Sequence, residues 1–171
     1  MSRPVGNPDP APRTTALGRG VVVPYPEPAD AAATKIGRAN RRTDTKAEVA
    51  LRSTLHRRGL RFRKDQLIRC MNGVKVRPDV VFTRALVAVF VDGCFWHGCP
   101  DHQNIPKRNI DYWVPKLRTN VERDRRADDA LAADGWHIER VWEHEDPDAA
   151  ADRISAAVAE RRANPGQASR S

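Results

Sequence analysis

The chain has 171 residues, a formal net charge of +8 and a pI of about 10.0, which makes polyanions its natural partners and predicts one domain with tails. No apolar run approaches the roughly 18 residues of a membrane span, and no apolar segment follows a basic start, so a soluble, cytoplasmic, nucleoid-associated protein is expected. Three cysteines, Cys70, Cys94 and Cys99, are too few and odd in number for a disulfide framework.

Residues 1–33 hold seven of the 13 prolines and one aromatic, Tyr25. That composition cannot build a core and reads as a disordered tail. Residues 34–163 read as the folded domain and 164–171 as a second short tail. Thr45-Lys46-Ala47-Glu48 is a capping box opening a helix, with Ala47, Leu51 and Leu55 on one face and Gly59 as its stop. Leu60 to Ile68 alternates in part, as an edge strand does. Asn72-Gly73 turns the chain into a strand over Val76–Phe82, and Thr83-Arg84 into an apolar central strand over Leu86–Val91. Trp113–Ala133 predicts a helix with Leu117, Val121 and Leu131 inward. Trp136–Trp142 is a last strand, and Asp146-Pro147 caps a final helix burying Ile154 and Val158. The order α, β, β, β, α, β, α implies an α/β fold, a mixed sheet flanked by helices.

The positive charge is local. Residues 35–69 carry twelve Lys or Arg against three acids, and 107–126 carry seven against three. Both runs flank the densest chemistry in the chain, so nucleic acid is the expected partner. Arg41, Arg42, Lys116 and Arg123 are candidate phosphate contacts.

That dense segment is Asp92-Gly-Cys-Phe-Trp-His-Gly-Cys-Pro-Asp-His102. Phosphodiester hydrolysis uses carboxylate oxygens to hold Mg²⁺, which activates water and neutralises growing charge. Pro78-Asp79 ends one strand and Val91-Asp92 the next, the layout of the PD-(D/E)xK nuclease core. Pro-Asp also fits an ordinary surface turn. The usual acid-x-Lys triplet is replaced by Val91-Asp92-Gly93, so no lysine serves as base. His97 can supply general acid–base function or ligate zinc. Glu48 reads first as the acid of the capping box. Cys94, Cys99 and His102 suit a tetrahedral zinc site whose fourth ligand is His97 or the distant His144. Phe95 and Trp96 cannot share a face of an extended segment, so at least one is expected to be exposed. With Trp113 they suit wedging between bases or burial against the sheet.

These motifs together resemble the very-short-patch-repair (Vsr-type) DNA mismatch endonucleases. The likeness spans about residues 36–145: Thr43–Glu48, Arg77-Pro78-Asp79, Val89–Pro100, Tyr112-Trp113, Asn120–Asp124, Gly135-Trp136 and Val141-Trp142-Glu143. It implies a restriction-endonuclease-like fold with structural Zn²⁺. It implies a monomer that nicks one strand of double-stranded DNA, 5′ to the thymine of a T:G mismatch left by 5-methylcytosine deamination, with mismatch-repair proteins as further partners. By resemblance, Asp79 and the Val91 carbonyl hold catalytic Mg²⁺, His97 is the acid–base histidine, and Glu48 is a second catalytic acid. Phe95, Trp96 and Trp113 intercalate. The family's last zinc ligand is commonly a cysteine where this chain has His144. Asp92 stands where some members carry a histidine, and it joins the catalytic candidates. The competing expectations are a zinc-containing restriction-type nuclease without mismatch preference and a zinc DNA-binding module without catalysis.

Overall fold

Thr45 caps the first helix, α1 (Lys46–Arg57), as its sequence predicts: Oγ1 accepts a 3.3 Å hydrogen bond from the Glu48 N–H. The helix ends in a Schellman motif. Gly59 takes φ 76° and donates to the His56 carbonyl, and the Leu60 N–H reaches back to Leu55. The computed structural model describes residues 14–17, 21–24, 44–97, 99, 101–102 and 110–164.

A four-stranded sheet lies at the centre. Its order is β3 (Arg63–Lys64), β6 (Val80–Phe82), β7 (Val87–Asp92), β8 (His137–Trp142). The first three pair antiparallel, while β7 and β8 run parallel. The parallel step needs a crossover, supplied by α2 (Ile110–Ala133). A last helix, α3 (Pro147–Ala163), starts at the Asp146 cap.

Alternation along β7 divides the core into two layers. Val87 and Val89 face Leu51 and Leu55 of α1 and Ile154 and Val158 of α3. Ala88 faces Leu131 of α2 and the small ladder of β4 (Ile68–Arg69) and β5 (Lys75–Val76). This is the expected mixed sheet flanked by helices. Leu55 is fully buried. Leu55→Ala should therefore cost about 2–5 kcal/mol in urea unfolding; a loss under about 1 kcal/mol would mean that the α1 layer is not core.

Four details differ from the sequence reading. The expected strand at 60–68 is two strands, β3 and β4, because Asp65 at φ 49° breaks it. The expected strand at 76–82 is also divided, because Pro78 has no N–H to donate. Val121 is 42% exposed rather than inward, while Leu131 is buried. Within the expected N-terminal tail, β1 (Thr14–Leu17) and β2 (Val21–Pro24) pair antiparallel, as β-branched Thr and Val favour.

Register decides where the site lies. Val80 pairs with Val89, so Asp79 enters the sheet beside the end of β7. Asp92 pairs with Trp142, so the end of β8 arrives at the same place.

Candidate active site and metal centre

The Asp79 carboxylate is the first group at this end of the sheet. Its Oδ2 accepts a 2.7 Å hydrogen bond from the Val91 N–H. Burial, opposed by that bond and reinforced by the charges of Glu48, Asp65 and Asp92, pushes its pKa up to about 6. A carboxylate disfavoured in this way is a good ligand for a hard divalent cation, which offsets the crowded negative charge.

Glu48 is buried at 4% exposure. It completes the cap: Oε1 accepts from Thr45 Oγ1 at 3.0 Å and Oε2 from the Asp44 N–H at 2.9 Å. Arg52 adds a 3.1 Å ion pair. The Glu48 charge is also among those that raise the Asp79 pKa, so the capping acid stands within electrostatic reach of Asp79.

Beyond β7 the chain turns tightly. The N–H groups of Trp96 and His97 both donate to the Gly93 carbonyl, at 3.1 and 3.2 Å. Glu143 Oε1 accepts from the Cys94 N–H at 2.8 Å and ties the turn to β8. His97 then points Nδ1 at Asp124 Oδ2, 2.6 Å away, with Asp92 Oδ1 at 3.5 Å. Burial alone would lower the His97 pKa. The Asp124 hydrogen bond and the Asp92 and Asp124 charges outweigh it and raise the pKa. The same contact draws the Asp124 pKa down against the effect of its own burial. With Nδ1 engaged, Nε2 is the ring nitrogen left to exchange a proton with a substrate.

Asp92 is buried and receives Arg140 NH1 at 2.6 Å. Arg140 also forks onto both oxygens of Asp128 at 2.9 Å and lies over the Phe90 ring. Asp92 thus faces His97 and Arg140 rather than open solvent. Asp124, Asp128 and Arg140 join this cluster; Asp124 lies in the Asn120–Asp124 motif but receives no role from the sequence, and the other two are missed by it. Asp124 and Asp128 sit on α2 and Arg140 on β8, and no local spacing links them to His97.

The Asp124→Asn exchange should lower the pKa of His97 and, if His97 is the proton-transfer group, slow nicking by about 10²-fold. The pH profile of kcat/KM would show the His97 limb moved to lower pH. An unshifted limb would remove Asp124 from control of His97.

Cys94, Cys99, His102 and His144 bring their ligand atoms within 4.8 Å of one another. Sulfur-to-Nδ1 separations run from 3.0 Å (Cys94–His144) to 4.0 Å (Cys94–His102). Bond lengths of about 2.3 Å to sulfur and 2.0 Å to nitrogen at tetrahedral angles place such atoms about 3.5 Å apart. The four residues fit a Cys₂His₂ zinc site. Burial first, then the neighbouring Cys99 and Glu143, pushes the Cys94 thiol up to about 11, a cost that a bound cation reverses. His97 stands outside this set, and His144 is in it. Asp101 comes no closer than 3.9 Å to His144, at Nε2 on the ring's far side.

The aromatics pack on one another. Phe95 and Trp96 meet edge to face at 4.9 Å, and Trp113 lies 5.4 and 5.7 Å from them. All three are half-buried. The segment is a turn rather than extended, so Phe95 and Trp96 do share a face. Lys116 Nζ stands 5.8 Å over the Trp96 ring and bonds Tyr112 Oη at 3.0 Å. Arg123 is exposed beside Asp124. Arg41 and Arg42 lie outside the described residues. No helix among the described residues is long and apolar enough to cross a membrane.

The family model described as "DNA mismatch endonuclease Vsr" matches residues 29–103. The type II nicking enzyme V.NaeI of Lentzea aerocolonigenes is 57% identical over 122 residues, covering 71% of this chain and 74% of that protein. V.XorIIP, a type II nicking enzyme of Xanthomonas oryzae pv. oryzae, is 43% identical over 107 residues, covering 61% and 74%. The DNA mismatch endonuclease Vsr of Escherichia coli is 35% identical over 105 residues, covering 58% and 62%.

Proposed function

The chain belongs to the Vsr family of DNA mismatch endonucleases, and from that premise we propose that it nicks one strand of a duplex, 5′ to the thymine of a T:G mismatch. One observation supports this most: Phe95, Trp96 and His97 are consecutive in a single tight turn, so an aromatic probe and a proton-transfer group move as one piece. Wedging an aromatic between base pairs costs unstacking, and a mismatch lowers that cost. The same turn then sets His97 at the backbone beside the disturbed step.

Asp79 and the Val91 carbonyl are the groups proposed to hold Mg²⁺. Bound there, the ion would polarise the phosphate and offset the charge that grows on it. His97 Nε2 takes the proton from the attacking water, and the proton's charge is stabilised by Asp124 through Nδ1. Asp92 acts through His97, held in place by Arg140. Glu48 orders the start of α1 and adds negative charge near Asp79. Lys116 and Arg123 take phosphates. Cys94, Cys99, His102 and His144 would hold zinc, which would keep the probe turn rigid from both of its ends and from β8. A single site in a monomer cuts a single strand, and the names of V.NaeI and V.XorIIP as nicking enzymes are in keeping with this.

A restriction-type nuclease without mismatch preference would cut paired DNA equally. Single-turnover nicking of a T:G duplex should exceed that of its T:A counterpart by about 10²-fold or more, the scale of a few kcal/mol of unstacking. Equal rates would favour the restriction reading. Trp96→Ala should narrow the difference.

A further inference from the structure

The end of the sheet opposite the active site carries a second cluster of positive charge. Arg61, Arg63, Arg84 and Arg162 line a groove of about 380 Å³ at the start of β7. All four are exposed. They arrive from separate places: Arg61 and Arg63 from edge strand β3 and its approach, Arg84 from the turn before β7, and Arg162 from the last turn of α3. Arg161 sets the position of its neighbour, because its guanidinium donates to the Gly135 and Ala85 carbonyls and clamps the end of α3 to the sheet.

Among the described residues, none of the four is ion-paired, whereas Arg52, Arg58, Arg140 and Arg153 all are. Arg61 reaches only the Leu60 carbonyl, at 3.5 Å. Four like charges around one groove repel each other, and that cost is recovered when a polyanion releases its counterions on binding. The floor indicates which polyanion. Val81, Phe82 and Ala85 are buried, and Phe62, the half-buried aromatic of the lining, is stacked on His56 at 4.5 Å, so the groove offers a single apolar side chain rather than the row of anchors a protein helix needs. What it presents is guanidinium forks and the Thr83 hydroxyl, the groups that grip phosphate oxygens.

We propose that this groove is an accessory binding site for a nucleic-acid phosphate backbone, separate from the cutting site. Along β7 it lies about 17 Å from Asp92, five steps of strand rise. Its ligand is either flanking DNA of the duplex being cut or a second duplex. The proposal rests on the reading of the chain as a DNA enzyme, not on T:G specificity or on the catalytic assignments.

The test uses the full chain and a quadruple variant, Arg61→Ala with Arg63→Ala, Arg84→Ala and Arg162→Ala, together with the single charge reversal Arg84→Glu. Thermal unfolding checks that each variant folds; exposed, unpaired arginines should leave the midpoint unchanged. Affinity for a long, fully paired duplex is measured against salt. Each lost phosphate contact lowers the log–log slope by about 0.9, so the quadruple variant should lose about 2 to 4 units of slope, and Arg84→Glu about 1. On a short duplex covering only the cutting site, wild type and variants should nick equally. Two differently labelled short duplexes then separate the sources. Bridging by wild type alone identifies a second duplex, and a slope change on long DNA without bridging identifies flanking DNA. An unchanged slope with no bridging overturns the proposal. So does a groove that is titrated by an acidic peptide but not by DNA. If wild type fails to nick, the reading of the function falls, and the salt slope still decides this site.

Discussion

Replacing Asp79 with asparagine is expected to abolish Mg²⁺-dependent nicking, by about 10³-fold or more, while making the metal-free protein more stable at pH 8. Both effects have one cause. The carboxylate is held among Glu48, Asp65 and Asp92 and partly removed from water, with its pKa pushed up to about 6. Its unfolded value is 3.8. Between these two values the folded state holds more proton than the unfolded state, so stability falls as pH rises from about 4 to 6. Above that window, wild type carries a constant penalty on the order of 2–3 kcal/mol. The amide oxygen of the Asp79→Asn variant can still accept the Val91 N–H, but the side chain has no charge to bury and is a poor ligand for a hard cation. Urea unfolding at pH 4 and pH 8 in magnesium-free buffer should show the variant gaining on wild type only at the higher pH. DNA binding should survive, because the basic faces are untouched. A variant that still nicks within tenfold of wild type would remove Asp79 from the metal site. A variant destabilised at both pH values would mean that the carboxylate is a structural group.

The second large effect concerns zinc. Cys99→Ala should abolish stoichiometric zinc and lower the melting temperature by about 10 °C, the consequence of losing about 3–5 kcal/mol in a chain of this size. Cys99 is fully buried, and its N–H closes the turn on the Cys94 carbonyl at 3.1 Å. Without it, three protein ligands leave the fourth position to water, which opens a closed structural site and weakens its hold on zinc. Because Phe95, Trp96 and His97 lie between Cys94 and Cys99, nicking should fall together with zinc content rather than with global unfolding. Metal analysis, calorimetry and nicking at a temperature where the variant is folded separate these. Full zinc occupancy in the variant would exclude Cys99 as a ligand. His144→Cys, which restores the commoner family ligand, should keep zinc and activity.

Much of this is legible along the chain. The capping box at Thr45–Glu48, the apolar run of β7 and the Asp146-Pro147 start of α3 are local patterns, and local hydrogen bonding decides them. The candidate metal site is legible because three of its members, Cys94, Cys99 and His102, lie within nine residues. His144 becomes its fourth member because β8 pairs in parallel with β7 and ends beside Asp92. What is not legible depends on packing. Asp124 meets His97 because α2 crosses the end of the sheet, and nothing in the 27-residue separation signals it. Arg140 points at Asp92 across two neighbouring strands. Val121 fits an inward helical face by periodicity, yet it stays exposed, because the pattern marks a face without saying whether anything packs on it there. Pro78 marks the site in the sequence, and the same residue breaks the strand that the sequence predicts there. The exposed arginines of the groove look like ordinary solvated charge until the fold brings four of them together.

The most direct test of the central claim is to map the nick on a T:G duplex labelled separately on each strand, in the presence of Mg²⁺. The expected product is a single break in the thymine strand, at the phosphodiester 5′ to the mismatched thymine, with the guanine strand intact. Breaks in both strands, or a break confined to the guanine strand, would contradict it.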